Sequence, residues 1–268
     1  MFKKKILVPT NFSELSEIAF KQSLLFSHNI GFEVVLLHVV PDLKDKDLDI
    51  DLVQNAIIKM IDKYRSLTTT KTIYRIEEGK VLQKILEVEE EIQPSYIFLG
   101  TDLSMKLISS KTLKLIDEAK CPIVIFGRNY NRTGCQNIVL PLDLTKETKQ
   151  KVKITLDIAK LYNSNVHIIS AANFEDEIER DKLKNQILSV QAIFENEGIN
   201  CFTKLIKTKD DIEVMANAIN DYADDVQADL IVIMTRQETK LQQFFVGSMA
   251  TKLIKKSKVP VLCVSPKK

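Results

Sequence analysis

The stretch KILVPTNFSELSEIAFKQSLLFSHNIGFEVVLLHVV at residues 5–40 recurs later in the chain as NIVLPLDLTKETKQKVKITLDIAKLYNSNVHIISAA at residues 137–172. The two stretches align without a gap. Each contains a short apolar run that ends in proline, a polar cluster, a helical pattern, a polar turn and a second apolar run. Because the spacing between them far exceeds that of any solenoid repeat, the duplication predicts two similar domains.

The helical segments of the two copies also agree in phase. Each carries a face of alternating large and small residues at helical spacing, which lets a helix lie close to a sheet. The matched positions are Phe20, Ser23, Leu24 and Ser27 in the first copy and Val152, Thr155, Leu156 and Ala159 in the second. The apolar runs that follow are too continuous for strands with one wet face, so they predict strands of a parallel sheet that are buried on both sides.

The later part of each half repeats as well. PSYIFLG at 94–100 pairs with ADLIVIM at 228–234, and AKCPIVIF at 119–126 pairs with SKVPVLCV at 257–264. Strands that alternate with helices favour right-handed crossovers. We therefore predict an α/β fold of two tandem doubly wound domains, 1–130 and 131–268, each a roughly five-stranded parallel sheet with helices on both faces.

Composition narrows the class of protein. The 268 residues carry 38 basic and 36 acidic side chains, a net charge of +2, so no electrostatic footprint for nucleic acid stands out. The N-terminal sequence MFKKKILVPT has an apolar run too short for a signal peptide or a membrane span. We expect a cytoplasmic protein that binds neither nucleic acid nor membranes.

The chemistry-bearing residues do not form an enzyme site. The four cysteines are scattered without metal-ligand spacing, and His28, His38 and His167 lie far apart in the pattern. Asp102 and Asp143 fall in different halves, so they do not form a carboxylate pair. The sequence therefore predicts neither a catalytic residue nor a metal site.

A ligand, if there is one, belongs at the carboxyl ends of the strands, where the strand order reverses. In the second half this edge includes Asp143, Met234 and the pair Gly247-Ser248 at a helix start. Free N–H groups and the helix dipole at such a start attract an anion, so the pair is suited to a phosphate. The alternative is that the serine only caps the helix.

Four short sequences in chain order resemble universal stress protein domains: ILVPTNFSE, LLHVV, FLGT and VGSMATKLIKKSKVPVLCV. The chain as a whole is similar to a tandem member of that family. This resemblance implies a Rossmann-like fold of the adenine nucleotide alpha hydrolase-like type, repeated with pseudo-twofold symmetry. It also implies a role as a cytoplasmic stress-response module.

ATP-binding members of the family carry a loop of the form G-x-x-G, nine residues, then G-S or G-T. In the second half these positions fall on Met234, Gln237 and Gly247-Ser248, so two of the three glycines are replaced. The aspartate that contacts the nucleoside in such members corresponds to Asp143.

In the first half the loop keeps Gly100 but is shorter by four residues, the Gly-Ser positions become Ser109-Ser110, and the aspartate becomes Asn11. We therefore expect nucleotide loops that are degenerate in both halves and no certain cofactor. The alternative is a regulatory protein that binds ATP, ADP or AMP at a residual site in the second half.

The resemblance also bears on assembly. The last strand of each half, 123–126 and 261–264, is apolar, and in this family these strands pair across a pseudo-twofold axis. This predicts an intramolecular pairing of the two domains. The sequence does not decide whether two such chains form a homodimer, and it identifies no protein partner.

Overall fold

The structure is a computed structural model that describes residues 4–40, 50–102, 109–128, 130–143, 148–173, 175–235 and 248–266. The chain divides into two compact units, with the first ending at residue 133 and the second beginning its main part at residue 134. The domain limits 1–130 and 131–268 stay a prediction. No helix within the described ranges is long and apolar enough to cross a membrane.

The first unit alternates strands and helices along its described length. Its elements are β1 (Lys5–Thr10), α1 (Glu14–Ile30), β2 (Glu33–Val40), α2 (Ile50–Lys63), a 3-10 turn (Arg65–Leu67), β3 (Thr72–Glu78), α3 (Val81–Ile92), β4 (Tyr96–Gly100), α4 (Ser110–Glu118) and β5 (Ile123–Phe126).

The five strands of the first unit lie in the order β3-β2-β1-β4-β5, and every described pair is parallel. Right-handed crossovers place α1 and α2 on one face of the sheet and α3 and α4 on the other. The direction of the connections reverses between β1 and β4. The carboxyl ends of these two strands therefore form the first switch point.

The second unit repeats this plan. Its described elements are β6 (Asn137–Pro141), α5 (Thr148–Tyr162), β7 (Asn165–Ala172), α6 (Glu177–Asn196), β8 (Cys201–Lys207), α7 (Ile212–Asp225), β9 (Leu230–Met234), α8 (Ser248–Lys256) and β10 (Val261–Val264). Its strand order is β10-β9-β6-β7-β8, also parallel, so the second switch point lies between β6 and β9.

The core of each unit sits where the helix faces meet the central strands. All four predicted face residues of α1 are buried, and so are Val152, Thr155 and Ala159 of α5, whereas Leu156 is partly exposed. The run Val34–Leu37 of β2 is fully buried, as are Val166, Ile168 and Ile169 of β7. The predicted fold class, two doubly wound parallel sheets with helices on both faces, is confirmed.

Local sequence fixes where the first helix begins and ends. Ser13 precedes α1 with an extended backbone, and its side chain accepts a hydrogen bond from the N–H of Ser16. Gly31 ends the helix in the left-handed region, with a φ of 68° that glycine adopts without steric cost. The N-cap at Ser13 follows directly on the end of β1, so α1 begins at the first switch point.

Candidate functional site

The loop after β1 satisfies its own polar groups. Asn11 Oδ1 accepts hydrogen bonds from the Ser13 N–H at 3.1 Å and from Ser13 Oγ at 2.6 Å. The Thr10 hydroxyl, which is buried, accepts from the Phe12 N–H at 3.1 Å and lies 3.0 Å from Ser16 Oγ. Asn11, predicted as the counterpart of the nucleoside-binding aspartate, is thus bonded inside its own turn.

An aromatic contact joins this loop to β2. Phe12 adopts a positive φ of 61°, and its ring centroid is 4.5 Å from that of His38. Because the Thr10 carbonyl can only accept, the hydrogen bond of 2.9 Å between it and His38 Nδ1 makes that nitrogen the donor. The pair contacts the carboxyl ends of β1 and β2, and it is a feature that the sequence analysis did not identify.

Gly100, the last residue of β4, lies against the first turn of α1. A Cβ at this position would overlap the backbone oxygen of Leu15. The glycine that was predicted to belong to a degenerate nucleotide loop therefore has a packing role as well, because it allows the helix to approach the end of the strand.

The predicted Ser109-Ser110 pair lies at the start of α4. Ser109 is the N-cap, and its Oγ accepts a hydrogen bond of 3.0 Å from the Thr112 N–H and lies 2.8 Å from Thr112 Oγ1. Ser110 is the first residue of the helix and is exposed. The side-chain oxygen of Ser109 is thus engaged in capping the helix.

A cavity of about 70 Å³ lies at the second switch point. Among its lining residues are Asp143 and Met234, both predicted, together with Thr235 and the first turns of α8 through Met249 and Ala250. The structure thus brings the described candidate residues of the second half to one place.

Three of the predicted positions lie outside the described residues or at their edge. Gly247 and the loop residue Gln237 lie outside the described residues, while the backbone of Ser248 begins α8. Met234 is 5% exposed, and Thr235 beside it is buried with its Oγ1 3.3 Å from the Val264 oxygen, to which it donates.

Lys151 is the principal residue that the sequence analysis missed. Its side chain is 3% exposed, and its Nζ donates a hydrogen bond of 2.7 Å to the Pro141 oxygen and lies 4.0 Å from Asp143 Oδ1. All three residues line the cavity. The signal was present in the gapless alignment, because Lys151 takes the place of Ala19, which is fully buried in α1.

The described cysteines offer little reactive chemistry. Burial raises the pKa of the Cys201 thiol to about 11 and that of three other thiols further, so the thiolate form is disfavoured near neutral pH. The three are Cys121, Cys135 and Cys263. Within the described part of the chain, no group of three His, Cys, Asp or Glu side chains could hold a metal ion.

Comparison with known proteins gives matches over both units. A model described as the universal stress protein family matches residues 3–127 and 134–265. Universal stress protein MJ0531 of Methanocaldococcus jannaschii is 27% identical over 148 residues, which cover 50% of this chain and 84% of that protein. Universal stress protein MJ0577 of the same organism is 26% identical over 164 residues, which cover 60% of this chain and 97% of that protein.

The crystal structure of a universal stress protein from Archaeoglobus fulgidus DSM 4304 has the same fold over the full length. The two superpose with a TM-score of 0.80 at 18% identity, and the match covers 98% of each chain. At this identity the likeness concerns the arrangement of strands and helices, and it extends through both units.

Proposed function

This chain belongs to the universal stress protein family, and we propose that it acts as a stress-response module without catalysis, whose two halves each hold an incomplete nucleotide site. The observation that carries the proposal is that side chains at both switch points are engaged by the chain itself. The Asn11 side chain accepts a hydrogen bond from Ser13, and the Ser109 side chain accepts one from Thr112. The Lys151 ammonium lies beside the Asp143 carboxylate. A phosphate or ribose would have to compete with these partners.

Titration calorimetry tests the proposal. We expect no saturable heat when the stripped full-length protein is titrated with ATP, ADP or AMP, and no change in its melting temperature. A ligand at a hundred times its Kd would stabilise the fold by about 2.7 kcal/mol, so a real site would be easy to detect. Saturable binding of any of the three nucleotides to the unmodified chain would contradict the proposal.

The second candidate function is regulatory binding of ATP, ADP or AMP by the second half. It is favoured by one observation, which is that the cavity there is lined by Asp143 and Met234 and lies beside the start of α8 at Ser248. The predicted site would comprise these residues and Gly247. If the unmodified chain binds a nucleotide, Asp143→Ala should weaken binding and Asn11→Ala, the matched change in the first half, should not.

We propose that no reaction is catalysed at either switch point. The described thiols are protonated near neutral pH because they are buried, and no described His, Cys, Asp or Glu cluster fits a metal. Incubation with ATP should therefore release no phosphate above the level of a heat-denatured sample. Turnover that is lost in the Asp143→Ala variant would favour an enzyme instead.

Assembly and location stay predictions from the sequence. The apolar last strands, 123–126 and 261–264, support an intramolecular pairing of the two domains, and homodimer formation is open. Light scattering coupled to size exclusion would distinguish a chain of 30.6 kDa from its dimer. We propose the cytoplasmic location that the family resemblance implies.

A further inference from the structure

We propose that Lys151 is an internal ligand of the second switch point: its side chain takes the space beside Asp143 that a nucleotide would need, and thereby keeps this half closed to adenine nucleotides. The inference rests on the proposed function, because it names the residue that makes the second site incomplete. Lys151 lies outside the glycine loop on which the prediction of a degenerate site rests.

The first step is the position of the ammonium. Lys151 lies in the first turns of α5 and reaches across to the end of β6, where its Nζ is 2.7 Å from the Pro141 oxygen. The Asp143 carboxylate is 4.0 Å from the same nitrogen. The lysine head thus lies between the strand end and the acidic side chain that the family resemblance assigns to the nucleoside.

The second step is burial. At 3% exposure this ammonium has left water, which is tolerated only where a charged group is paired and hydrogen-bonded. The Pro141 oxygen accepts a hydrogen bond from the ammonium, and the Asp143 carboxylate supplies the opposite charge at 4.0 Å. Lys151 is therefore held in place by the same carboxylate that a ligand would need, and a nucleotide would have to displace a satisfied pair.

The third step is the comparison of the two halves. Pro9 and Ala19 in the first unit match Pro141 and Lys151 in the second, and both Ala19 and Lys151 are buried. The exchange of a methyl group for a long charged chain takes up volume at the switch point. A cavity of about 70 Å³ remains beside Lys151.

The test is a gain of binding. Lys151→Ala restores the residue found at position 19, and Lys151→Met keeps the side-chain length without the charge. We expect the unmodified protein and Lys151→Met to give no saturable heat with AMP or ATP. The Lys151→Ala variant should bind one equivalent per chain at least about tenfold more tightly than the weakest affinity that the titration could detect for either, a difference of about 1.4 kcal/mol.

Two further variants locate the effect. Lys153→Ala removes an exposed lysine from the same helix and should not create binding. Adding Asp143→Ala to Lys151→Ala should abolish the new binding, whereas adding Asn11→Ala should leave it. Circular dichroism of each variant verifies that α5 and the sheet are intact, so that a lack of binding can be interpreted.

The outcomes separate the two proposals. No binding by folded Lys151→Ala, or equal binding by Lys151→Met, would overturn the role of Lys151 and leave the proposed function standing. Binding by the unmodified chain would contradict the proposed function, and if Lys151→Ala did not bind more tightly the inference would fail with it. A readout independent of binding is acetylation by acetic anhydride: Lys151 should react far more slowly than Lys153.

Discussion

Gly100 shows how much one missing side chain can determine at the end of a strand. It closes β4 against the backbone of Leu15, and a Cβ there would overlap the Leu15 oxygen. We expect Gly100→Ala to lower the free energy of unfolding by about 2–3 kcal/mol, because the start of α1 would have to move away from the sheet. Urea denaturation followed by circular dichroism measures this loss.

Gly31→Ala is the matched control for that variant. Gly31 has a φ of 68°, and no atom lies within 4 Å of the position that a Cβ would take. Its replacement should cost only the left-handed backbone, roughly 1–2 kcal/mol. Losses in the reverse order, with Gly31→Ala the more damaging, would contradict close packing as the role of Gly100.

His167 makes the stability of the second unit depend on pH. It is 8% exposed, its Nδ1 is 3.1 Å from the Tyr222 hydroxyl, and its ring stacks on Phe202. Burial lowers the pKa of this imidazole below the usual value of about 6.5, so the folded state binds the proton less readily than the unfolded state. The stability that the neutral imidazole contributes is therefore present at pH 8 and is lost as the pH falls below the ordinary histidine pKa of about 6.5.

The measurement is urea unfolding of the unmodified protein and of His167→Gln at pH 8 and pH 5.5. We expect the acid-induced loss of stability to be smaller in His167→Gln than in the unmodified protein. His28→Gln, which changes an exposed histidine at the end of α1, should behave like the unmodified protein. An unchanged acid-induced loss in His167→Gln would assign the pH dependence to other groups.

At the scale of single elements, the start of α4 distinguishes a helix cap from a ligand contact. Ser109 Oγ accepts the Thr112 N–H at 3.0 Å, whereas Ser110 is exposed. Ser109→Ala should lower the free energy of unfolding by about 1 kcal/mol, the usual value of an N-cap. Ser110→Ala should change it by less than about 0.5 kcal/mol, as expected for an exposed position.

Thermal unfolding of the two serine variants checks this prediction with the same buffer and protein concentration. A larger loss in Ser110→Ala than in Ser109→Ala would place the cap one residue later than the structure does. The structure gives a physical reason for the difference, because Ser109 has a non-helical backbone with a ψ of 142° and Ser110 already lies in the helix.

The elements were predictable because their signals are local and occur twice. Buried parallel strands read as continuous apolar runs, and the duplicated helix faces fixed the order of strands and helices. The contacts at the strand ends were not predictable in this way. Lys151 was overlooked because a lysine in a helix is usually solvated, and its burial depends on how α5 closes over β6.

The contacts of Phe12 and Gly100 were likewise not predictable from local sequence signals. The positive φ of Phe12 and its contact with His38 arise where the loop folds back over β2. The overlap that a side chain at residue 100 would make with Leu15 is a contact between segments far apart in sequence. For the candidate site, the sequence thus identified the edge of the sheet and several of its residues, while the partners of those residues required the structure.

At the scale of the whole molecule, the same fold occurs twice, with different side chains at the two switch points. In the first unit the position equivalent to Lys151 is the fully buried Ala19, and Phe12 in the loop after β1 packs against His38. In the second unit Lys151 fills the corresponding position beside Asp143. The duplication has therefore preserved the sheet and the helix faces while the two candidate sites diverged.

Each unit also has its own core, with a fully buried phenylalanine near its centre: Phe20 in α1 and Phe194 in α6. We expect Phe194→Ala to cost about 3–5 kcal/mol, because it leaves a cavity between α6 and the sheet. Hydrogen exchange followed by mass spectrometry should then show faster exchange in peptides from 137–172 and unchanged exchange in peptides from 5–40. Phe20→Ala should give the reverse pattern, and equal acceleration of both regions by either variant would show that the two cores unfold as one cooperative unit.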